Sequence, residues 1–486
     1  MLQNFDDFFN YNERQLMDDL SAVIEIESVA LGNDGHGNPF GPKVTSALNN
    51  VLECASAKGF QTCNIDNYIG EITYGTGEKM IGILCHVDIV DAGAGWDTPP
   101  FQMLVKNGEI YGRGVIDDKG PMVCCIYAMK YIKDNELLPK NCKIKMIIGT
   151  DEEENWISIK EYLKRKPVLP DISIVPDASF PVVYCEKGLV NFSMDIPIKD
   201  SNYNNKLRIL ELKGGERPNV VAGNAKCLIS TSGSGIEIAD LEAKIKSIAD
   251  SNDIAVETIL NNSGDLEIMV TGRAAHAMTP EKGKNAISYL MKLLYDLGTE
   301  VHGGFVQQDA LKIYEKLIGL EYDGTSMGLK CSDEASGSLT FNLGLIEMNE
   351  SSLRLSINLR YPASMSFDCI NEKLIRIVKS NGLSIDYGVC MDPIFYDIDS
   401  QLIKELMAIY RECTGDLDTV PVSLGGATYA RAITNAVAFG PVFPWQAELA
   451  HEPNEHCSVS DLRMITKIYQ RAIIRLGTLI QNGEGN

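Results

Sequence analysis

The sequence predicts an α/β protein with a central, mostly parallel sheet, interrupted by an α+β segment. Three observations carry this. Apolar runs of strand length, Ile81 to Val87, Lys143 to Ile148 and Asp171 to Val175, alternate with helical patterns in the first part of the chain. From about Asn191 the texture changes to helices mixed with strand pairs, and after about Asp392 the alternation returns. The 486 residues suffice for two or three domains. We therefore expect a discontinuous first domain, residues 1–188 and 392–486, around a second of residues 189–391.

Each element follows from spacing and punctuation. Leu16, Leu20, Val23 and Ile24 mark a helix over Asn12 to Ile26. A second helix runs from Pro42 to Lys58 and is closed by Gly59. The strand Ile81 to Val87 is followed by Gly93-Ala-Gly-Ala-Gly-Trp-Asp-Thr-Pro-Pro100, too rich in glycine and proline for regular structure. Pro121 suits the first turn of a helix reaching about Asn135. In the middle segment we expect helices at Ile238 to Asp250 and Asn285 to Leu297. Strands are expected at Leu266 to Thr271, Leu339 to Ile346 and Leu353 to Tyr361. Helix Gln401 to Cys413, strand Ala436 to Gly440 and helix Val459 to Ile480 complete the chain.

Composition narrows the function. A net charge of -22 argues against nucleic-acid or anionic-membrane partners. The 13 cysteines include no CxxC pair and read as reduced thiols of a cytoplasmic protein. The acidic start, Met1-Leu-Gln-Asn-Phe-Asp-Asp, lacks the pattern of a signal peptide, and no apolar run approaches the length of a membrane span.

Chemistry-bearing residues gather at the carboxyl ends of the predicted strands, where open α/β sheets bind ligands. His86 and Asp88 end the first of these strands; two apart, they share a face. Asp151 to Glu154 and Asp177 end the next two, Asp117 and Asp118 sit in a loop before a helix, and His451 follows the late strand. Taken singly, these are a carboxylate-satisfied core histidine, a solvated helix start or a turn. Together they suggest one buried acidic cavity, whose self-repulsion a pair of divalent cations would relieve.

At these residues the sequence resembles the M20 family of metal-dependent peptidases, in particular the PepV-type dipeptidases and the carnosinases. The resemblance rests on Cys85-His-Val-Asp88, Tyr111-Gly-Arg-Gly-Val-Ile-Asp-Asp-Lys-Gly-Pro121, Gly149-Thr-Asp-Glu-Glu153, Val175-Pro-Asp-Ala178 and Glu186-Lys-Gly188. It continues through Gly215-Glu-Arg-Pro-Asn-Val-Val221, Gly272-Arg-Ala-Ala-His276, Asn358-Leu-Arg-Tyr-Pro362, Gly425-Gly-Ala-Thr-Tyr-Ala-Arg431 and Leu449-Ala-His451. It implies a zinc-peptidase-like catalytic domain and a lid made by the inserted segment.

The resemblance also implies roles. His86 and Asp177 would hold one Zn2+ and Glu153 and His451 another, with Asp117 bridging them through a cis peptide to Asp118. Mn2+ or Co2+ would suit the same ligands. Asp88 would orient His86, and Glu152 would be the general base toward a water activated by the two metals. His276 and Asn219 would stabilise the oxyanion, Arg360 would grip the substrate carboxylate, and Gly425 and Gly426 would let the backbone approach it. A sheet-surface ion pair competes for Arg360 and a plain turn for the glycines. His36 and His302 are expected in solvent, and His451 is preferred over His456 as ligand.

Four positions depart from the family pattern: Cys85 in place of Gly or Ser, Asp91 in place of Pro, and Glu154-Asn155 in place of Ser-Gly. The expected activity is a cytoplasmic dipeptidase of short unblocked peptides, compatible with a monomer. A deacylase of N-acyl amino acids or desuccinylase, and a non-catalytic metal- or peptide-binding homologue, are the competing expectations.

Overall fold

The structure is a computed structural model that describes residues 4–199 and 205–483. It divides into two compact units: Met1–Cys185 with Phe395–Asn486, and Glu186–Ile394.

The first unit is built on a nine-stranded sheet. In spatial order its path is Gln61–Ile65, Ile69–Gly75, Cys142–Gly149, Lys79–His86, Ile172–Val175, Ala436–Ala438, Val183–Glu186 and Ile394–Phe395; Val422–Leu424 pairs off the path with Val183–Glu186. The four strands from Cys142–Gly149 to Ala436–Ala438 are mutually parallel. Their flanks are not. Gln61–Ile65, Ile69–Gly75 and Cys142–Gly149 pair antiparallel, as does Val183–Glu186 with Ala436–Ala438. The expected parallel sheet is thus the centre of a mixed one.

Burial explains the contrast. Seven of the eight residues of Lys79–His86 are buried, as a strand covered on both faces requires, and this reads as a continuous apolar run. The edge strand Gln61–Ile65 is half exposed and polar, so its signal is weak. It turns into its partner through Asp66 and Asn67, both at positive φ (51° and 60°). Helices Lys119–Asp134 and Val459–Gln481 contribute their apolar stripes to the same core as the central strands. The last helix has a capping box: Ser458 Oγ accepts from Asp461 N at 3.0 Å, and Asp461 Oδ2 accepts from Ser458 N at 2.8 Å. It therefore starts at a fixed point, eight residues after His451.

The first helix spans Phe5–Ile24, longer than expected, because the Asn4 side chain caps it at Asp6 N. Asn12, the expected start, lies buried inside it and donates to Phe8 O at 2.8 Å.

The second unit is α+β, as predicted. Its eight strands run, in spatial order, Ala255–Leu260, Leu266–Thr271, Asn224–Ser230, Arg208–Gly214, Thr340–Met348, Ser352–Tyr361, Gly188–Pro197 and Ser384–Met391. Every neighbouring pair is antiparallel. Buried and half-buried residues alternate from Val190 to Pro197, so one face carries the core. Helices Ile238–Ser251, Ala286–Glu300, Gln308–Leu317 and Phe367–Asn381 pack into that core.

Candidate metal centre

The central strands of the first unit deliver their last residues to one place. His86 ends its strand with a side chain only 1% exposed. Its backbone N–H donates to Asp118 Oδ2 at 3.2 Å, and its Nδ1 lies 2.9 Å from the Asp88 main-chain carbonyl. The Asp88 carboxylate, expected to orient the ring, stands farther off at 3.5 Å. Its other oxygen accepts from Glu153 N at 3.0 Å. Asp88 thus ties the His86 strand to the acidic turn, while its backbone fixes the imidazole and leaves Nε2 pointing outward.

Asp117 lies between two histidines. Its Oδ1 is 3.1 Å from His86 Nε2, and its Oδ2 is 3.0 Å from His451 Nε2. Asp177 Oδ2 is 3.7 Å from His86 Nε2, and Glu153 Oε1 is 3.0 Å from His451 Nε2. Two ligand groups result, His86–Asp117–Asp177 and Asp117–Glu153–His451, joined through Asp117. The peptide bond between Asp117 and Asp118 is cis.

The ionisation of the cluster follows from its burial and its crowded charges. Burial pushes the carboxyls of Asp118, Glu152 and Glu153 upward, and the charges of Asp177 on Glu152 and of Asp117 on Glu153 add to this. Asp177 rises to about 7, through burial and then the charge of Asp117. Burial also opposes an ionised Asp117, but His451 and His86 outweigh it and hold its carboxyl below the usual range. Burial likewise disfavours a charged His86, yet Asp117, Asp177 and Asp88 together push its pKa up. For His451 the charge of Glu153 does the same against burial.

The residues fit a pair of divalent cations. His86 Nε2 and Asp117 Oδ1 face each other without hydrogen-bond geometry, and both are buried. Tetrahedral ligands at about 2.0–2.1 Å from a metal stand about 3.3 Å apart, the spacing seen here between donor atoms. Imidazole with carboxylate suits zinc, manganese or cobalt. Glu152 stands beside these groups, 9% exposed, and its Oε1 has no hydrogen-bond partner among the described residues.

Residues 82–475 match the model of Peptidase family M20/M25/M40. The chain belongs to this family. A putative dipeptidase, YtjP, of Bacillus subtilis strain 168 is 34% identical over 472 residues, covering 96% of this chain and 97% of its own. A putative dipeptidase of Staphylococcus haemolyticus is 32% identical over 470 residues, with 96% and 97% covered. Human carnosine dipeptidase 1 shares the fold at a TM-score of 0.58 and 15% identity, over 98% of this chain and 100% of its own. The Saccharomyces cerevisiae di-peptidase Dug1p does so at 0.56 and 14%, over 98% and 99%. This M20 chain therefore carries two candidate divalent-metal groups on a peptidase fold.

The other predicted residues fall as follows. Asn219 and His276 belong to the second unit, on segments held together there: Val220 bridges His276, and Ala277 N donates to Asn219 O at 2.9 Å. Asn342 Nδ2 grips the Asn219 loop through Pro218 O at 2.8 Å and Val220 O at 3.0 Å. Arg360, also in that unit, is 3% exposed, and its Nε donates to Asn358 Oδ1 at 3.0 Å. Gly426 O accepts from Arg431 Nη2 at 3.1 Å; neither Gly425 nor Gly426 has the positive φ that would demand glycine. His456 is in neither metal group; it stacks on Tyr111 at 4.9 Å, with Nδ1 2.7 Å from Asn454 O. His36 and His302 are exposed.

Two groups of residues at the site had no predicted role. Tyr429 is buried edge-on to His86, with its hydroxyl 3.1 Å from Ser158 Oγ. Arg113 and Glu455 form a buried ion pair at 2.8 Å behind the Asp117 loop. Arg113 stands inside the Gly-Arg-Gly motif and Glu455 four residues past His451, so charged residues beside two candidate ligands were the available signal.

Proposed function

We propose that this protein is a two-metal dipeptidase acting on short, unblocked peptides. The observation that carries the proposal is Asp117, with one oxygen 3.1 Å from His86 Nε2 and the other 3.0 Å from His451 Nε2. On this reading His86, Asp177 and Asp117 hold one cation, and Glu153, His451 and Asp117 the other; Zn2+ is our choice of ion. Cations bound there would polarise the scissile carbonyl and raise the acidity of the attacking water.

Glu152 serves as general base. Its buried, unpartnered oxygen is free to take the proton of the attacking water and hand it to the leaving amine. Burial, and then the charge of Asp177, keep its proton affinity high, which favours that transfer. Within the second unit, the same reading gives Asn219 and His276 the substrate's oxyanion and Arg360 its terminal carboxylate, which a guanidinium binds in a fork. That unit would act as a lid. Gly425 and Gly426 remain proposed substrate contacts through their main chain.

No helix among the described residues is long and apolar enough to cross a membrane. We read the 13 cysteines as reduced thiols, and on that ground we place the protein in the cytoplasm.

Hydrolysis of a dipeptide panel beside its N-acetylated counterparts, with and without chelator, tests the proposal. Chelator-sensitive cleavage of the free dipeptides is expected. Cleavage confined to the acetylated set would instead establish a deacylase, and no turnover of either set by metal-loaded protein a binding homologue.

A further inference from the structure

We propose that Arg113 and Glu455 form a buried clamp that positions Asp117 and His451. The clamp sets the affinity for the cation between Glu153 and His451 more than for the one between His86 and Asp177. The proposal rests on the two-metal reading above.

Glu455 is a carboxylate beside the ligands that is not itself free to be one. Its side chain is 0% exposed, and both oxygens are taken. Oε2 accepts from Arg113 Nη1 at 2.8 Å and from Gly114 N at 3.0 Å. Oε1 accepts from Ile116 N at 2.7 Å and from Asp117 N at 3.3 Å. One side chain thus fixes the backbone of the loop that ends in the shared ligand.

Arg113 completes the tie from the opposite strand of chain. Nη1 also donates to Glu452 O at 3.3 Å, and Nη2 to His451 O at 3.3 Å and Ala92 O at 3.4 Å. Its guanidinium lies over the Trp96 ring at 5.2 Å. The loops at residues 92–97, 112–117 and 451–455 therefore meet at one fork, which a point charge could not reproduce.

The two histidines depend on this fork unequally. His86 ends a buried strand and is 1% exposed, so packing and the sheet ladder already hold it. The His451 side chain is 42% exposed, and its backbone sits at φ 67°. Little packing fixes that imidazole; the carbonyl of His451, held by Arg113, does. Loosening the clamp frees the His451 half of the centre first.

Glu455→Gln keeps the volume but replaces an acceptor with a donor facing Arg113 or a backbone N–H. Arg113→Lys keeps the charge but not the fork, which separates positioning from simple electrostatics. Metal-free protein is titrated with Zn2+ by calorimetry, with circular dichroism as the check on fold. His451→Ala identifies the phase that belongs to the second cation. We expect two phases in the unsubstituted protein. In both clamp variants the His451-dependent phase weakens by about 10- to 100-fold, the range for lost outer partners of metal ligands, and the other phase weakens less. If Glu455→Gln does not fold, Arg113→Lys carries the test. Unchanged phases, or an equal loss in both, would overturn the clamp while leaving the two-metal reading standing. An unsubstituted protein that takes up fewer than two ions would overturn that reading and the clamp with it.

Discussion

Glu152→Gln separates proton transfer from metal retention. Glu152 is no member of either candidate ligand group, so the substitution removes the proposed base without removing a candidate donor. A positioned general base contributes about 10²–10⁴ in rate. The loss in kcat is therefore expected in that range, which corresponds to about 2.7–5.4 kcal/mol of barrier. The structure adds a second signature. Burial and the charge of Asp177 both raise the Glu152 carboxyl, so an ionised Glu152 is unfavourable in the metal-free protein. A neutral amide of the same shape relieves that repulsion, and the metal-free variant should melt higher, by about 2–4 °C for each kcal/mol relieved in a domain of this size. Steady-state dipeptide hydrolysis, metal analysis of the loaded protein and thermal melting of the metal-free form read the three effects. Retained turnover would remove Glu152 as the base. Lost turnover accompanied by lost metal would make it a ligand or a structural support.

Two further predictions concern the ionisation of the cluster and its packing. Without metal, Asp177 (raised to about 7), Glu153 and Asp118 bind protons more tightly when folded than unfolded, so stability must fall as pH rises from about 4 to about 7. His86 and His451, also raised, contribute stability that is present below their unfolded value and lost as pH rises through the folded one, so the sign is the same. Melting of chelated protein should thus be higher at pH 5 than at pH 8, and a stability that rises over that range would contradict the ionisation scheme. Gly149→Ala would set a Cβ 2.2 Å from the Tyr429 hydroxyl, in front of the turn that carries Glu152 and Glu153. Overpacking there should cost about 1–3 kcal/mol of stability and lower activity; an unchanged melting temperature would show that Tyr429 yields freely.

Much of the fold was legible because its signals are local. His86 and Asp88, two apart at the end of an apolar run, announced a strand end with chemistry on it, and the strand runs Lys79–His86. Three of the four parallel strands at the centre are buried almost throughout, and the fourth, Cys142–Gly149, is buried except at Lys143 and Lys145, so apolar residues mark all four. The Gln61–Gly75 hairpin is not so marked, since an edge strand in solvent carries no such pattern. The spacing of Leu16, Leu20, Val23 and Ile24 marked the first helix only from Asn12 on; its first turns, begun at the Asn4 cap, lie before that spacing.

The site divides in the same way. Aspartates and histidines at strand ends could be read as a group, and the shared position of Asp117 was implied by resemblance to the family. The Arg113–Glu455 pair was not legible, because its partners lie 342 residues apart and charged residues ordinarily face solvent. The 3.5 Å separation of the Asp88 carboxylate from His86 Nδ1, with the carbonyl at 2.9 Å instead, depends on a backbone turn that spacing alone does not specify.

The most direct test of the account is the metal content of Asp117→Asn beside that of the unsubstituted protein, both loaded with Zn2+ and freed of excess. Two ions per chain are expected in the unsubstituted protein. The variant should lose affinity for both, because one carboxylate faces both histidines. Two ions retained at full affinity, or one lost with the other untouched, would contradict a centre joined through Asp117.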